Sequence, residues 1–190
     1  MFSVFGIILR GCLLLTASVV LGVSVSLAKQ QGDGPVPPQT GLGAFVGTAG
    51  LIVAVLGMAA LWINRLNRKG LVYLDALMSA FYLAAAISLT LAMKGVSSCT
   101  ATDQASQYSR FTNKILNGGC VHPGKDTICP YVTSASGEDL TTARCQMAEA
   151  DYTFEYGGFV FSLTMVVVGF ILHRRGRGGP PNAGSATAFD

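Results

Sequence analysis

Charge is what this chain has least of. Lys, Arg, Asp and Glu make up 12% of its 190 residues, against 51% apolar residues and a mean hydropathy of +0.49. That is too little charge to clothe an ordinary soluble domain. The net charge of +3 is too small for a nucleic-acid-binding surface, and the basic residues sit beside apolar runs rather than over a face. No Cys-x-x-Cys occurs, which argues against a thioredoxin-like or quinone-coupled redox site. No Asn-x-Ser/Thr sequon is present, so N-glycosylation is not expected. Nothing in the sequence assembles a catalytic constellation, so no enzyme, cofactor or metal centre is expected.

What is present is four apolar runs. They predict an all-α membrane protein, a bundle of four transmembrane helices with spans at about 4–28, 42–63, 71–93 and 152–172, each near the ~20 residues that cross a bilayer core. For the first run two readings compete. Ser26-Leu27-Ala28 would suit signal cleavage, but Phe2–Leu9 is apolar where a signal peptide should be short and polar, which favours a retained helix with Arg10 snorkelling to the nearer interface. Pro35, Pro37 and Pro38 break the chain before the second span.

The connection holding Arg65, Arg68 and Lys69 has no acid and is expected in the cytoplasm by the positive-inside rule. Arg174, Arg175 and Arg177 follow the fourth span on the same side, as topology signals or contacts to anionic lipid headgroups. Both termini are then cytoplasmic, residues 173–190 form a flexible tail, and residues 94–151 form a long external loop. Tyr108–Leu116 is a candidate short helix within that loop, and the helix formers Arg144–Ala150 suggest that the last helix starts in water. His122 and His173 fall on opposite sides of the membrane.

Four of the five cysteines, Cys99, Cys120, Cys129 and Cys145, lie in this loop, where an oxidising space makes disulfides a better reading than zinc. Sequence alone does not choose among the three connectivities. The favoured one joins Cys99 to Cys145, where spans three and four must approach, with Cys120–Cys129 nested inside. Cys12, in an apolar run, reads as a small buried hydrophobe.

Small residues recur at Ala76, Ala80, Ala84, Ser88 and Ala92, a stripe expected to be packed against, and Gly43-x-x-x-Gly47 is a second close-approach pattern, expected to pack within the chain. Asp75 and Glu155 are the acids nearest membrane depth. Each is expected to sit at a helix end or interface, at opposite faces, so no proton relay is expected.

Several of these residues resemble fungal MARVEL-domain membrane proteins, the group that includes the non-classical export protein family. They are Leu74-Asp75-Ala76-Leu77 with Phe81, Ala84-Ala85-Ala86, Ser98-Cys99, Tyr108, Asn113-Lys114-Ile115, Arg144-Cys145-Gln146-Met147-Ala148, and Tyr152-x-Phe154-x-Tyr156-x-x-Phe159-x-Phe161. The resemblance covers mainly Leu71–Leu172 and implies one MARVEL-like unit over residues 1–172. It also implies a non-enzymatic organiser of plasma-membrane or secretory-vesicle domains, including eisosomes, with partners among the bilayer lipids, sphingolipid-rich domains and other membrane helices in homo- or hetero-oligomers. Cys99 and Cys145 would be the family-like pair. Departures are the longer loop, the added Cys120 and Cys129, and the Gly-rich ending. A small-solute transporter or channel, or a cell-surface protein binding through the loop, are the other classes to weigh.

Overall fold

The computed structural model describes residues 2–32, 34–62, 68–121, 128–134 and 136–177. They form five helices: α1 (Phe2–Lys29), α2 (Pro38–Trp62), α3 (Arg68–Ala92), α4 (Gln104–Thr112) and α5 (Leu140–Arg177). All but α4 are long and apolar enough to cross a membrane. The only pairings of strand type among the described residues are two isolated bridges in the loop, Val121 with Ile128 and Thr133 with Asp139.

Local chemistry sets the boundaries. α2 starts at Pro38, where a helix loses nothing from the missing N–H. α4 is capped by Asp103, whose carboxylate accepts the Ser106 N–H at 3.0 Å. It starts before the expected Tyr108–Leu116 helix and overlaps only its first part, to Thr112, and the chain turns at Asn117–Gly119, where Gly118 and Gly119 both have positive φ. α5 is one unbroken helix of 38 residues, about 57 Å long at ~1.5 Å per residue. That is nearly twice a bilayer core of ~30 Å. It begins at Leu140, well before the expected span at 152, and runs on through His173 to Arg177; residues 178–190 of the expected tail lie outside the described residues.

The long helices close a four-membered ring in which α1 touches α2 and α5, and α3 touches the same two. The mid-depth core is Val20, Val46, Met78, Tyr82 and Ala85, with Val53 and Phe159 packed against it. Gly47 lets α2 approach α1 closely, since a Cβ there would lie 2.7 Å from the Leu21 amide nitrogen.

The small-residue stripe of α3 does not face the bundle. Ala76, Ala80 and Ala84 are exposed, and Ser88 and Ala92 only part-buried, whereas Asp75, Met78, Ser79, Tyr82, Ala85 and Leu89 are buried. Successive residues turn about 100° around a helix, so the stripe lies one residue round from the packed face. Asp75, Ser79 and Tyr82 decide which face goes inward, because a polar side chain in lipid costs more than a methyl group left there.

Candidate functional site

Polar groups enter the bundle at three depths. On α2, Gly43, Gly50 and Gly57 recur every seven residues, and on α1 so do Arg10, Ala17 and Ser24. In helices crossing at small angles that spacing returns to nearly the same face about every 10.5 Å. Each glycine leaves the space that a neighbouring polar group fills. A Cβ at Gly43 would collide with the Ser24 hydroxyl, at Gly50 with the Tyr82 hydroxyl, and at Gly57 with the Arg10 guanidinium.

The layer farthest from the loop is an ion pair. Arg10 donates from Nη1 to Oδ1 of Asp75 at 2.7 Å and from Nη2 to Oδ2 at 2.6 Å, with both side chains at most 4% exposed. This fork-to-fork geometry suits guanidinium and carboxylate. Arg10 therefore does not snorkel, and Asp75 is not an exposed helix-end acid. Each satisfies the other inside the ring, in the room Gly57 provides.

The middle layer is Tyr82. Its ring lies against the Cα of Gly158 and its hydroxyl against Gly50, beside Ala17. That hydroxyl has no hydrogen-bond partner among the described residues.

The layer nearest the loop carries two acids four residues apart on α5, Asp151 and Glu155. The Ser24 hydroxyl donates to Oδ2 of Asp151 at 2.6 Å. Oδ1 of Asp151, both Glu155 oxygens and the Thr40 hydroxyl are buried without a partner among the described residues. Thr40 precedes Gly43 by three residues on α2, and a Cβ at Gly43 would lie 3.0 Å from Glu155 Oε1. Glu155 was expected at the outer boundary and Asp151 in the loop. Both are instead fully buried, because α5 extends past the hydropathy boundary and the loop covers its end.

That cover is built from Asn113–Leu116. Ile115 and Leu116 insert against Leu27, Leu89, Met93 and Ala148 around the Cys99–Cys145 disulfide, forming an apolar layer one turn above Ser24 and Asp151. Buried and half-buried polar side chains hold it in place. Asn113 donates to the Ala92 carbonyl at 2.8 Å, and Arg144 donates to Gln30 Oε1 at 3.1 Å and to the Leu116 carbonyl at 3.0 Å. Arg110 donates to the carbonyls of Ser98 and Ala101 at 2.9 and 3.0 Å. A second disulfide, Cys120–Cys129, stands next to the isolated Val121–Ile128 bridge.

Asp139 caps α5, accepting the Thr141 N–H at 2.8 Å and hydroxyl at 2.7 Å, with Arg110 at 3.6 Å. Burial alone would raise this carboxyl; the Thr141 bonds and the Arg110 charge outweigh it and hold it below its ordinary 3.8. A depressed carboxyl stabilises the fold above its unfolded-state value and loses that contribution as pH falls through the folded one. Loop protection in hydrogen exchange should therefore drop below about pH 4, and Asp139→Ala should cost about 1 kcal/mol and abolish that acid step. An unchanged acid profile in the variant would refute the assignment.

Among the other expected site residues, Arg174 is exposed and stacks over Phe170 with its guanidinium carbon 5.0 Å from the ring centroid. Arg68 and Lys69 stand in the first turn of α3, and Arg175 and Arg177 in the last turn of α5, while Arg65 lies outside the described residues. The polar layers draw on Gly50 and Gly57, which the sequence shows only as further glycines of the second span, and on Ser24, Thr40 and Tyr82, which did not stand out in the sequence. The signal that would have found them is the shared seven-residue spacing on three helices, with Asp75 and Tyr82 in step on α3. The chain matches no family model, no curated protein and no solved structure.

Proposed function

We propose that this chain is a non-enzymatic integral membrane protein, MARVEL-like in kind, that organises lateral domains of the plasma membrane or secretory vesicles. Both termini lie in the cytoplasm and the 94–139 connection lies outside. The observation that carries this reading is the outward face of α3. Ala76, Ala80 and Ala84 are exposed on a helix whose Asp75, Ser79 and Tyr82 side chains turn inward. Small residues on a lipid-facing stripe let a second helix approach at backbone distance, so the protein self-associates or pairs with other membrane helices there. Arg174 and its neighbours add attraction to anionic headgroups, at about 1 kcal/mol each. Enrichment in sphingolipid-rich domains belongs to this reading through the family resemblance.

A fluorescently tagged copy should appear in discrete membrane patches, and Ala80→Leu with Ala84→Leu should disperse it while leaving its abundance in the membrane unchanged. A wild-type protein spread evenly, or patches indifferent to both leucines, would count decisively against the reading.

The three polar layers favour a second reading, a small-solute transporter or channel. Reconstituted vesicles that pass no more solute than empty ones would eliminate it.

A further inference from the structure

We infer that the outer polar layer is a binding site for one monovalent cation, a proton or a sodium ion, held by Glu155 and Asp151 between α1, α2 and α5. The argument is one of charge balance in a sealed space. Asp151 and Glu155 project from one face of α5 a single turn apart, act electrostatically on each other, and are both fully buried. Two ionised carboxylates one turn apart there would need a compensating positive charge, whereas a single one can rest on Asp151 with the Ser24 hydroxyl bond.

Among the described residues no basic group supplies that positive charge. On α1 the facing residue is Ser24, and the nearest cation below, Arg10, is committed to Asp75. On α2 the facing residues are Thr40 and Gly43, and on α3 the facing group is Tyr82, neutral and within electrostatic reach of Glu155. On α5 itself the nearest cation, Arg144, is turned toward Gln30 and the Leu116 carbonyl. Lys29 and Glu149 are exposed at the rim.

The remaining side-chain donors are oxygens, the set that hard cations take. Three kinds of buried oxygen there have no partner among the described residues: the Glu155 carboxylate, Asp151 Oδ1 and the Thr40 hydroxyl. In the proton case one Glu155 oxygen gains an O–H bond and the charge of the pair falls from minus two to minus one. In the sodium case the ion takes the place of that proton. The apolar cover of Leu27, Leu116 and Ala148 separates the site from water, so exchange requires the cover to loosen.

The test uses the full chain in lipid nanodiscs with glutamate labelled by carbon-13 at the side-chain carboxyl. Glu138, Glu149 and Glu155 are the only glutamates, and the first two are exposed. Infrared spectra are recorded between about pH 5 and about pH 9, a range buried carboxyls reach, in choline chloride and in sodium chloride. A labelled protonated-carboxyl band that fades on raising pH identically in both salts identifies the proton. A band displaced by sodium at fixed pH identifies the ion. Either band should vanish in Glu155→Gln, which keeps the shape of the protonated acid and should fold with a thermal midpoint independent of pH and sodium. The wild-type response is read without any substitution, so it stands should a variant fail to fold. A labelled signal indifferent to pH and salt across the range, or one that persists in Glu155→Gln, overturns the proposal.

Discussion

Asp75→Leu is expected to destabilise the bundle by about 3–5 kcal/mol, the usual cost of removing one partner of a buried ion pair. The reason is the guanidinium left behind. Arg10 is enclosed by α1, α2 and α3, with Gly57 directly against it, and the two bonds it loses, at 2.6 and 2.7 Å, have no substitute at that depth. Arg10→Met should cost a similar amount by stranding the carboxylate. The double variant Arg10→Met with Asp75→Leu should regain most of the loss, because two apolar side chains of similar size fill the layer without any desolvated charge. Arg10→Lys should fall between, since an ammonium cannot reproduce the fork. Thermal unfolding in detergent of the two single variants and the double completes the cycle. A double variant as unstable as the sum of its parents would mean that the pair is not the coupled unit described.

The second large effect concerns the outer disulfide. A cross-link stabilises chiefly by restricting the unfolded chain, and more so for a longer loop. Closing the 46-residue separation between Cys99 and Cys145 is worth about 4 kcal/mol on that account. The 9-residue separation between Cys120 and Cys129 is worth about 2.6 kcal/mol. Replacing Cys99 and Cys145 by alanine should therefore lower the unfolding midpoint more than replacing the inner pair. It also removes two buried side chains from the cluster around Leu116 and Leu89, which widens the gap. Mild reductant should act in the opposite order, opening Cys120–Cys129 first because those sulfurs are only part-buried. Equal losses from the two double replacements would show that the cover draws its stability from the Arg110, Asn113 and Arg144 bonds instead.

Much of the fold was legible because lipid-crossing helices are long and low in charge. Hydropathy alone locates all four, and the prolines before α2 place the first break. The helix-forming run Arg144–Ala150 anticipated that the last helix begins well before its apolar span. The interior was harder to read for two reasons. Arg10 and Asp75 stand 65 residues apart, and a window of local hydropathy treats each as a lone charge to be brought to a surface. Glu155 stands near the start of an apolar run, so distance along the chain suggested an edge. Burial followed a different boundary, the cover contributed by Ile115 and Leu116. The α3 stripe misled for a related reason. Four-residue spacing marks a face without saying whether that face turns inward, and the answer came from the polar residues next to it.

The unbroken course of α5 has a mechanical consequence. Cys145, Asp151, Glu155 and Ser162 sit on a single rigid rod, and Cys145 is bonded to Cys99, past the end of α3, while its neighbour Arg144 grips Gln30 beyond α1. A helix cannot roll about its axis when two adjacent residues near one end are tied to different neighbours. The rotational phase of the whole rod is thus set at its loop end, and the acids are kept aimed inward by a bond about two to three turns away. Reduction of that bond would release a turning motion of α5 as well as a loop.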